Sequence, residues 1–308
     1  MDGQTSPSTM TDRTWPALPL EEWAATYHTL HMWTQIVGKI RLELAPKENH
    51  WWNSALYVNS RGLTTSLIPY HKNPFEIQFD FEDHRLEIHT SAGEGSAFKL
   101  ESKSVSAFYD ELMSALRSLA ISVQINTRPQ EVPNPVPFEL DDVHASYQPE
   151  YANRCWRILL STKLVLDQFR ARFLGKGSPV HFFWGSFDLA YTRFCGRPAP
   201  PRKGVISGEA YSHECSSAGW WPGSGEIQGP AFYAYTVPEP LGYSEQPISP
   251  SAAFYHPQLH EFILMYDDLR RSPSPDAELL EFFQSAYEAG ANLAGWDRTS
   301  LERAALER

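Results

Sequence analysis

Chemically capable side chains are concentrated between His181 and Pro240. Twelve aromatic residues fall in that window among ionisable ones, and glycine and proline at turn-like positions exclude one long helix there. Small-molecule pockets are commonly built from aromatic walls and a few convergent polar groups. The window therefore predicts where a site lies, and its candidate ionisable residues are His181, Asp188, Arg193, His213, Glu214 and Glu239.

One chemistry open to these residues is general acid–base catalysis centred on His213. Histidine titrates near neutral pH, and a buried carboxylate beside it can orient the ring. A pair of opposed carboxylates, Asp188 with Glu214 or Glu239, would instead suit glycoside-type chemistry. A covalent nucleophile has less support, because Ser186 lies in a Gly-Ser-Phe sequence rather than in a GxSxG elbow. The predicted catalytic residues are His213, Glu214, Asp188 and His181.

A divalent metal centre is the second chemistry left open. Imidazole nitrogens and carboxylate oxygens suit zinc, iron or manganese, although no HExxH sequence or cysteine pair is present. Adjacent strand residues point to opposite faces, so His213 and Glu214 could share one ion only from a turn, which the following Ser-Ser-Ala-Gly would allow. The alternative is a histidine bonded to a carboxylate that holds a loop. The candidate metal ligands are His181, His213, Glu214 and Glu239.

The large side chains of the same window are candidates for binding a substrate. On a regular strand, Trp184 and Asp188 would share one face, whereas Phe183 and Phe187 would share the other and enter the core. A Trp-Trp-Pro-Gly turn could stack on a ligand or simply cover a core. The predicted substrate-binding residues are Trp184, Arg193, Tyr211, Trp220, Trp221, Tyr233, Tyr235 and, from the first half, Arg61.

A polar stripe in the first half is the other candidate feature. His31, Gln35 and Lys39 lie four residues apart, so they share one face if the helix continues through Gly38. Arg61, at a glycine turn, could approach that face. The competing interpretation is an ordinary solvated helix face.

Periodicity predicts an α+β protein of two halves, each with a helix, antiparallel strands and a helix, packed tightly together with the site in the second half. Residues 31–42 and 181–192 show a faint similarity that would fit a diverged duplication. Helices are expected over 20–37, from 104, over 150–174 and over 275–290, and strands at 56–59, 63–68, 76–90, 121–126, 180–194, 231–237 and 262–266. The predicted organisation is a disordered N-terminus (1–14), a first α+β half (15–126), a proline-rich linker (127–149), a second α+β half carrying the site (150–296) and a C-terminal tail (297–308).

The composition of the chain limits the classes of partner and cofactor that it is expected to bind. The chain has 308 residues and a formal charge of −11, which opposes binding to nucleic acid or to an anionic membrane. No signal peptide and no apolar run of membrane-spanning length is seen, and three cysteines without a CxxC pair favour the cytoplasm. No GxGxxG or GxxxxGK[ST] sequence signals a nucleotide cofactor, and the oligomeric state stays open.

Several blocks of the chain together resemble a known bacterial family. They are HMWTQIVGKIRL, WWNSALYVNSRGLTTSLIPY, FEIQFDFEDHRLEI, PVHFFWGSFDLAYTRFCGR, EAYSHECSSAGWWPG and AFYAYTVPEP. They are similar to domain of unknown function 5996, from about Trp15 to Trp296. The resemblance implies one integrated unit, and it implies no activity.

Three functions are compatible with the sequence. The first is an enzyme acting on a small organic molecule in an aromatic pocket through histidine and carboxylate chemistry, acid–base or metal-assisted. The second is a non-catalytic ligand-binding module, and the third is a structural or interaction protein. Clustered ionisable groups among aromatic rings carry a desolvation cost that a structural region has little reason to bear, which favours the enzyme.

Overall fold

The computed structural model describes residues 14–303 and confirms the predicted α+β class, since two antiparallel sheets are each flanked by helices. The predicted disordered segment, 1–14, lies outside the described residues except for Thr14, as do residues 304–308 of the predicted tail. Within 14–303, no helix is both long and apolar enough to cross a membrane.

The first half packs one long helix and one shorter helix with a five-stranded meander, in which the strands follow in sequence order. Trp33 of the long helix stacks on Phe108 of the shorter one, with ring centroids 4.6 Å apart. The elements are α1 (Leu20–Leu44), a 3-10 segment (Asn49–Ser54), β1 (Tyr57–Val58), β2 (Gly62–Thr64), β3 (Phe75–Asp80), β4 (Arg85–Thr90), β5 (Gly95–Lys99) and α2 (Val105–Ser118).

Local sequence signals account for much of this half. In β3, Ile77 and Phe79 are buried while Glu76 and Gln78 are partly exposed, as their period of two predicts. Ser104 begins α2 as predicted, because its Oγ accepts a hydrogen bond from the Ala107 amide at 3.2 Å. Alternation and capping therefore determine these elements locally.

The second half holds a six-stranded antiparallel sheet in the order β6-β7-β8-β9-β11-β10. Part of the predicted tail pairs with residues 173–174 of this half, since the Leu174 amide donates to the Leu301 carbonyl at 2.7 Å. The elements are a 3-10 turn (Phe138–Leu140), α3 (Pro149–Ala171), β6 (His181–Phe183), β7 (Asp188–Pro198), α4 (Val205–Ala210), β8 (His213–Trp221), β9 (Ala231–Val237), a 3-10 turn (Tyr243–Glu245), β10 (Phe254–His256), β11 (Glu261–Met265), α5 (Tyr266–Arg270), α6 (Pro275–Leu293) and α7 (Arg298–Leu301).

The two faces of this second sheet have different neighbours. One face packs on α3 and α6, and Leu189 and Tyr191 of β7 lie on that side. Asp188, Ala190 and Thr192 alternate with them and face a cavity. The side-chain period of two thus separates a core face from a face that carries polar groups.

Residues 213–221 form the central strand β8, so the turn that Ser-Ser-Ala-Gly would allow is not formed. Ser216 and Ser217 are buried in that strand and pair with β7 and β9 on either side. Small residues are poor strand formers in isolation, so the burial of this segment between two neighbours overrides its local preference.

The structure differs from two other expectations. Residues 121–126 form no strand, although Ile121 and Val123 are buried. The segments whose similarity suggested a duplication differ in structure, because 31–42 lies within helix α1 and 181–192 forms the β6–β7 hairpin.

The region predicted as a linker, 127–149, packs against its neighbours over part of its length. Phe138 and Tyr147 are buried, and the Gln148 amide donates to Thr26 Oγ1 at 3.0 Å. Its prolines exclude regular structure, yet its apolar side chains still enter the core. The segment therefore joins the halves closely.

The turn between β6 and β7 docks on helix α1. Trp184 lies directly against Gly38, where a Cβ would fall 2.1 Å from Trp184 Cδ1. The indole Nε1 donates to the Ser54 carbonyl at 2.7 Å, which prevents the ring from moving aside freely. Glycine at residue 38 is therefore required for the first half to hold this turn.

We expect Gly38→Ala to destabilise the protein by about 1–3 kcal/mol, because the new methyl overlaps a buried ring. In an ordinary helix interior the same change would stabilise the protein by about 1 kcal/mol. A destabilised variant would therefore indicate the overlap with Trp184. Urea unfolding measures the difference. Gly229→Ala is the matched control, because the nearest atom to its Cβ is Met265 Cε at 3.8 Å. An unchanged or more stable Gly38→Ala protein would contradict this packing.

Candidate functional site

A cavity of about 720 Å³ lies between the polar face of the second sheet and the first half of the chain. Its volume is within the usual range for small-molecule sites. Helix α1 contributes Tyr27 and His31, and the 3-10 segment contributes Trp52. The segment predicted as a linker, 127–149, contributes Glu131. The sheet supplies the remaining wall, so the cavity needs both halves of the chain.

Asp188 is the most buried carboxyl group on the cavity wall, with only 8% of the residue exposed. It accepts hydrogen bonds from Ser186 Oγ and from the Tyr233 hydroxyl, both at 2.5 Å. Burial nevertheless raises its pKa, which outweighs the opposing effect of these two donors. Asp188 is thus a desolvated carboxyl group held in one orientation.

A glycine in the central strand lets the Tyr233 hydroxyl reach Asp188. Gly219 of β8 pairs directly with Tyr233 of β9, and a Cβ there would lie 2.6 Å from the Tyr233 hydroxyl. Tyr235 stacks on Tyr233 at 6.0 Å, and its hydroxyl lies 3.1 Å from that of Tyr211. Burial raises the pKa of both Tyr233 and Tyr235 well above 10, so the two phenols stay protonated.

Glu261 is a second ionisable carboxyl group on the wall. It is the first residue of β11, one position before the pair formed by Phe262 and Ala234, which places it beside Tyr235. Burial, followed by the charge of Asp188, raises the pKa of Glu261 to about 7. A carboxyl group with this pKa can both accept and donate a proton near neutral pH.

Glu131 is the third carboxyl group and the most exposed of the three. Partial burial and then the Asp188 charge raise its pKa. Helix α1 fixes the chain beside it, because the Gln35 amide group donates to the Gln130 carbonyl and accepts from the Gln130 amide, each at 2.9 Å. One glutamine side chain thus presents Glu131 to the cavity.

The polar stripe of α1 is buried, and the solvated-face interpretation was wrong. Lys39 Nζ donates to the Arg128 carbonyl at 2.9 Å, and His31 Nε2 donates to the Gly185 carbonyl at 2.8 Å. Burial lowers the pKa of His31 to about 4, so its ring is neutral at pH 7. The stripe positions the segments that carry Glu131 and Asp188.

The opposite wall comes from the 3-10 segment. His50 and Trp51 have positive φ values of 57° and 62°, which non-glycine residues rarely adopt. His50 Nδ1 donates to the carbonyls of Glu209 and Ala210 at 3.1 Å each, and its Nε2 accepts from Lys176 Nζ at 2.7 Å. These bonds hold a strained backbone against the cavity.

Residues 15–303 of the chain match the model of a protein family, DUF5996, which is described as a family of unknown function. The chain belongs to the DUF5996 family. No curated protein and no solved structure matched it in the corresponding comparisons. The match spans both halves and the segment between them.

The structure brings six of the predicted residues of this DUF5996 protein together on the cavity wall. They are Trp184, Asp188, Tyr211, Trp221, Tyr233 and Tyr235. The strand-alternation argument for the first two was wrong, because residues 184–187 form a turn between β6 and β7. Phe183 lines the cavity although alternation assigned it to the core, and Phe187 is buried as expected.

Neither His213 nor Glu214 lines the cavity. Because β8 is a strand, the two side chains point to opposite faces, which removes the turn on which a shared ion depended. Glu214 pairs with Arg197 Nη2 at 2.6 Å and accepts from Trp296 Nε1 at 3.2 Å. His213 Nδ1 lies 3.0 Å from Ser212 Oγ.

The remaining predicted residues also lie outside the lining. His181 is buried among aromatic rings, including those of Trp52 and Tyr57, and burial lowers its pKa to about 3. Glu239 bonds to the Tyr255 hydroxyl at 2.8 Å. The other three are Trp220, fully buried; Arg193, whose guanidinium lies 3.4 Å from the Phe169 ring centroid; and Arg61, paired with Asp80 and Asp83.

The four proposed metal ligands are dispersed. Among residues 14–303, no group of three or more histidine, cysteine, aspartate or glutamate side chains is arranged to hold a metal ion. Glu214 and Glu239 are bonded to different partners, as described above, and His181 is enclosed by rings. These residues do not form one ligand set.

Glu261 makes stability depend on pH. Its usual pKa is 4.5, and in the folded protein it is about 7, so between these values the folded state holds a proton that the unfolded chain has lost. The free energy of unfolding therefore falls as pH rises through this window, by roughly 1–3 kcal/mol. The Glu261→Gln variant should not show this fall in the free energy of unfolding, and it should be more stable than the parent at pH 8.

Urea unfolding at pH 5 and pH 8 tests this difference. Glu281→Gln, an exposed glutamate of α6, is the control and should follow the parent at both pH values. Equal pH dependence in the parent and in Glu261→Gln would show that Glu261 is not desolvated.

Proposed function

We propose that this protein is an enzyme that acts on a small organic molecule by acid–base chemistry in the cavity between its halves. The observation that carries the proposal is the pair of carboxyl groups on one wall, Asp188 and Glu261, in different surroundings. Carboxyl groups whose environments differ can divide the roles of acid and base. Purely structural packing has little reason to bear the cost of burying both.

Glu261 is suited to transfer the proton. Its pKa of about 7 gives comparable amounts of acid and base at neutral pH. A general acid–base group in this range contributes about 10²–10⁴-fold to a rate. Asp188, with Tyr233 and Ser186 donating to it, is held in one orientation and can fix or polarise the substrate beside Glu261.

Covalent catalysis has weaker support from the same wall. Cys215 lines the cavity, but burial raises its pKa to about 12, so it remains a thiol rather than the nucleophilic thiolate. Ser217 Oγ lies 3.0 Å from Thr192 Oγ1, and no histidine or carboxyl group is among its hydrogen-bond partners in the described structure. Proton transfer by the carboxyl groups is therefore the proposed chemistry.

We also propose a cytoplasmic location. Cys155, Cys195 and Cys215 are free thiols, which suits a reducing compartment.

A substrate screen tests the enzyme proposal. The purified protein is incubated with a small-molecule extract of cells, and mass spectrometry follows which compounds are consumed. We expect one compound class to be converted by the parent and by His213→Ala, and at least about 100-fold more slowly by Glu261→Gln. Glu281→Gln is the matched control and should retain turnover.

Two results would contradict the proposal. Compounds that are retained by the protein without conversion would indicate the ligand-binding module instead. Loss of turnover in His213→Ala, with the Glu261→Gln protein still active, would return the chemistry to the histidine predicted from the sequence.

A further inference from the structure

The cavity is unevenly charged. Three carboxyl groups line it, Glu131, Asp188 and Glu261, whereas no lysine or arginine does. None of the three forms an ion pair with a basic side chain of the described residues. Carboxylates without a basic partner in a desolvated space create a negative potential, which either protonation or a bound cation relieves.

The basic side chains near the cavity are engaged with rings and backbone carbonyls, including Lys39, whose Nζ lies 5.8 Å from the Trp184 ring centroid and bonds to the Arg128 carbonyl. Lys176 Nζ lies 5.4 Å from the Trp52 ring centroid and bonds to His50. Lys47 covers the Trp51 ring at 4.6 Å, and Arg202 covers the Tyr211 ring at 4.2 Å. None of these basic side chains forms an ion pair with Glu131, Asp188 or Glu261.

Aromatic rings line the space beside the carboxyl groups. Tyr233 and Tyr235 form a stacked pair, and Phe183 and Trp221 complete the wall. No lysine or arginine of the described residues lies over these four rings. Aromatic faces next to carboxylates form the usual environment for an ammonium group.

We propose that the substrate carries a positively charged nitrogen, an ammonium or substituted amine, which binds between Asp188, Glu261 and the stacked pair of Tyr233 and Tyr235. Glu131, on the exposed side, attracts the cation as it enters. The inference relies on the proposed function for the choice of cavity, and it adds the chemical class of the ligand. It holds for binding whether or not turnover follows.

Two probes of the same shape separate the effect of positive charge on affinity from the effect of shape. Choline carries a trimethylammonium group, and 3,3-dimethylbutan-1-ol replaces its nitrogen with carbon. Binding to the full-length protein is measured at pH 8 by calorimetry, with benzyltrimethylammonium as a larger cation and benzoate as an anion. We expect each cation to bind roughly tenfold or more tightly than the neutral alcohol, and benzoate not to bind.

Variants of the cavity carboxyl groups test whether the preference for cations over the neutral alcohol arises in the cavity. Glu261→Gln and Asp188→Asn should each weaken cation binding about tenfold while leaving binding of the neutral alcohol unchanged, and circular dichroism confirms that each variant is folded. Glu281→Gln is the control on the outer surface and should bind as the parent does.

Three outcomes would overturn the inference: equal affinity for choline and the neutral alcohol, tighter binding of benzoate, or no binding of either cation at millimolar concentration. The proposed function fails separately. A protein that binds cations and converts no compound is not an enzyme, whereas one that converts an uncharged compound refutes only the ligand class proposed here.

Discussion

The docking of the β6–β7 turn on helix α1 is the contact on which the candidate site depends. Trp184 fits against Gly38 only because residue 38 has no side chain, and the indole is then tied to the Ser54 carbonyl. His31 holds the same turn through the Gly185 carbonyl. Asp188 begins the strand that leaves this turn, so its position follows from an interaction between the two halves.

That docking also creates the environment of the carboxyl groups. The first half covers the polar face of the second half's sheet. Asp188 and Glu261 therefore lie away from bulk water without becoming core residues. Burial is the largest cause of the raised pKa of both, and the charge of Asp188 adds to the effect on Glu261. The same contact that joins the halves therefore prepares the groups proposed to move a proton.

Sequence reasoning located part of this wall, in some cases for the wrong reason. Trp184 and Asp188 were expected on a common strand face, and they meet at the cavity because a turn separates their strands. Glu261 was missed, although it immediately precedes a predicted strand and alternates with Phe262, a signal that would have placed it on the polar face. Glu131 had no such signal, because irregular backbone has no side-chain period.

His213 shows the opposite error. Its residue type and its carboxylate neighbour suggested acid–base catalysis or metal binding. The shared metal ion depended on a turn, whereas β8 is a strand, and His213 does not line the cavity. The small residues after Glu214 have little strand preference of their own. They form the central strand because β7 and β9 enclose them, which is a non-local effect that local propensity does not contain.

Local sequence patterns were enough to predict the α+β class, the strand alternation of the first sheet, the start of α2 at Ser104 and the aromatic window that holds much of the candidate site. These features follow from periods of two or three to four residues and from capping, all of which act over a few residues. Which ionisable groups share the cavity follows instead from long-range packing. Asp188, Glu131 and Glu261 lie far apart in the chain, and their shared cavity and altered pKa values arise from burial between two halves.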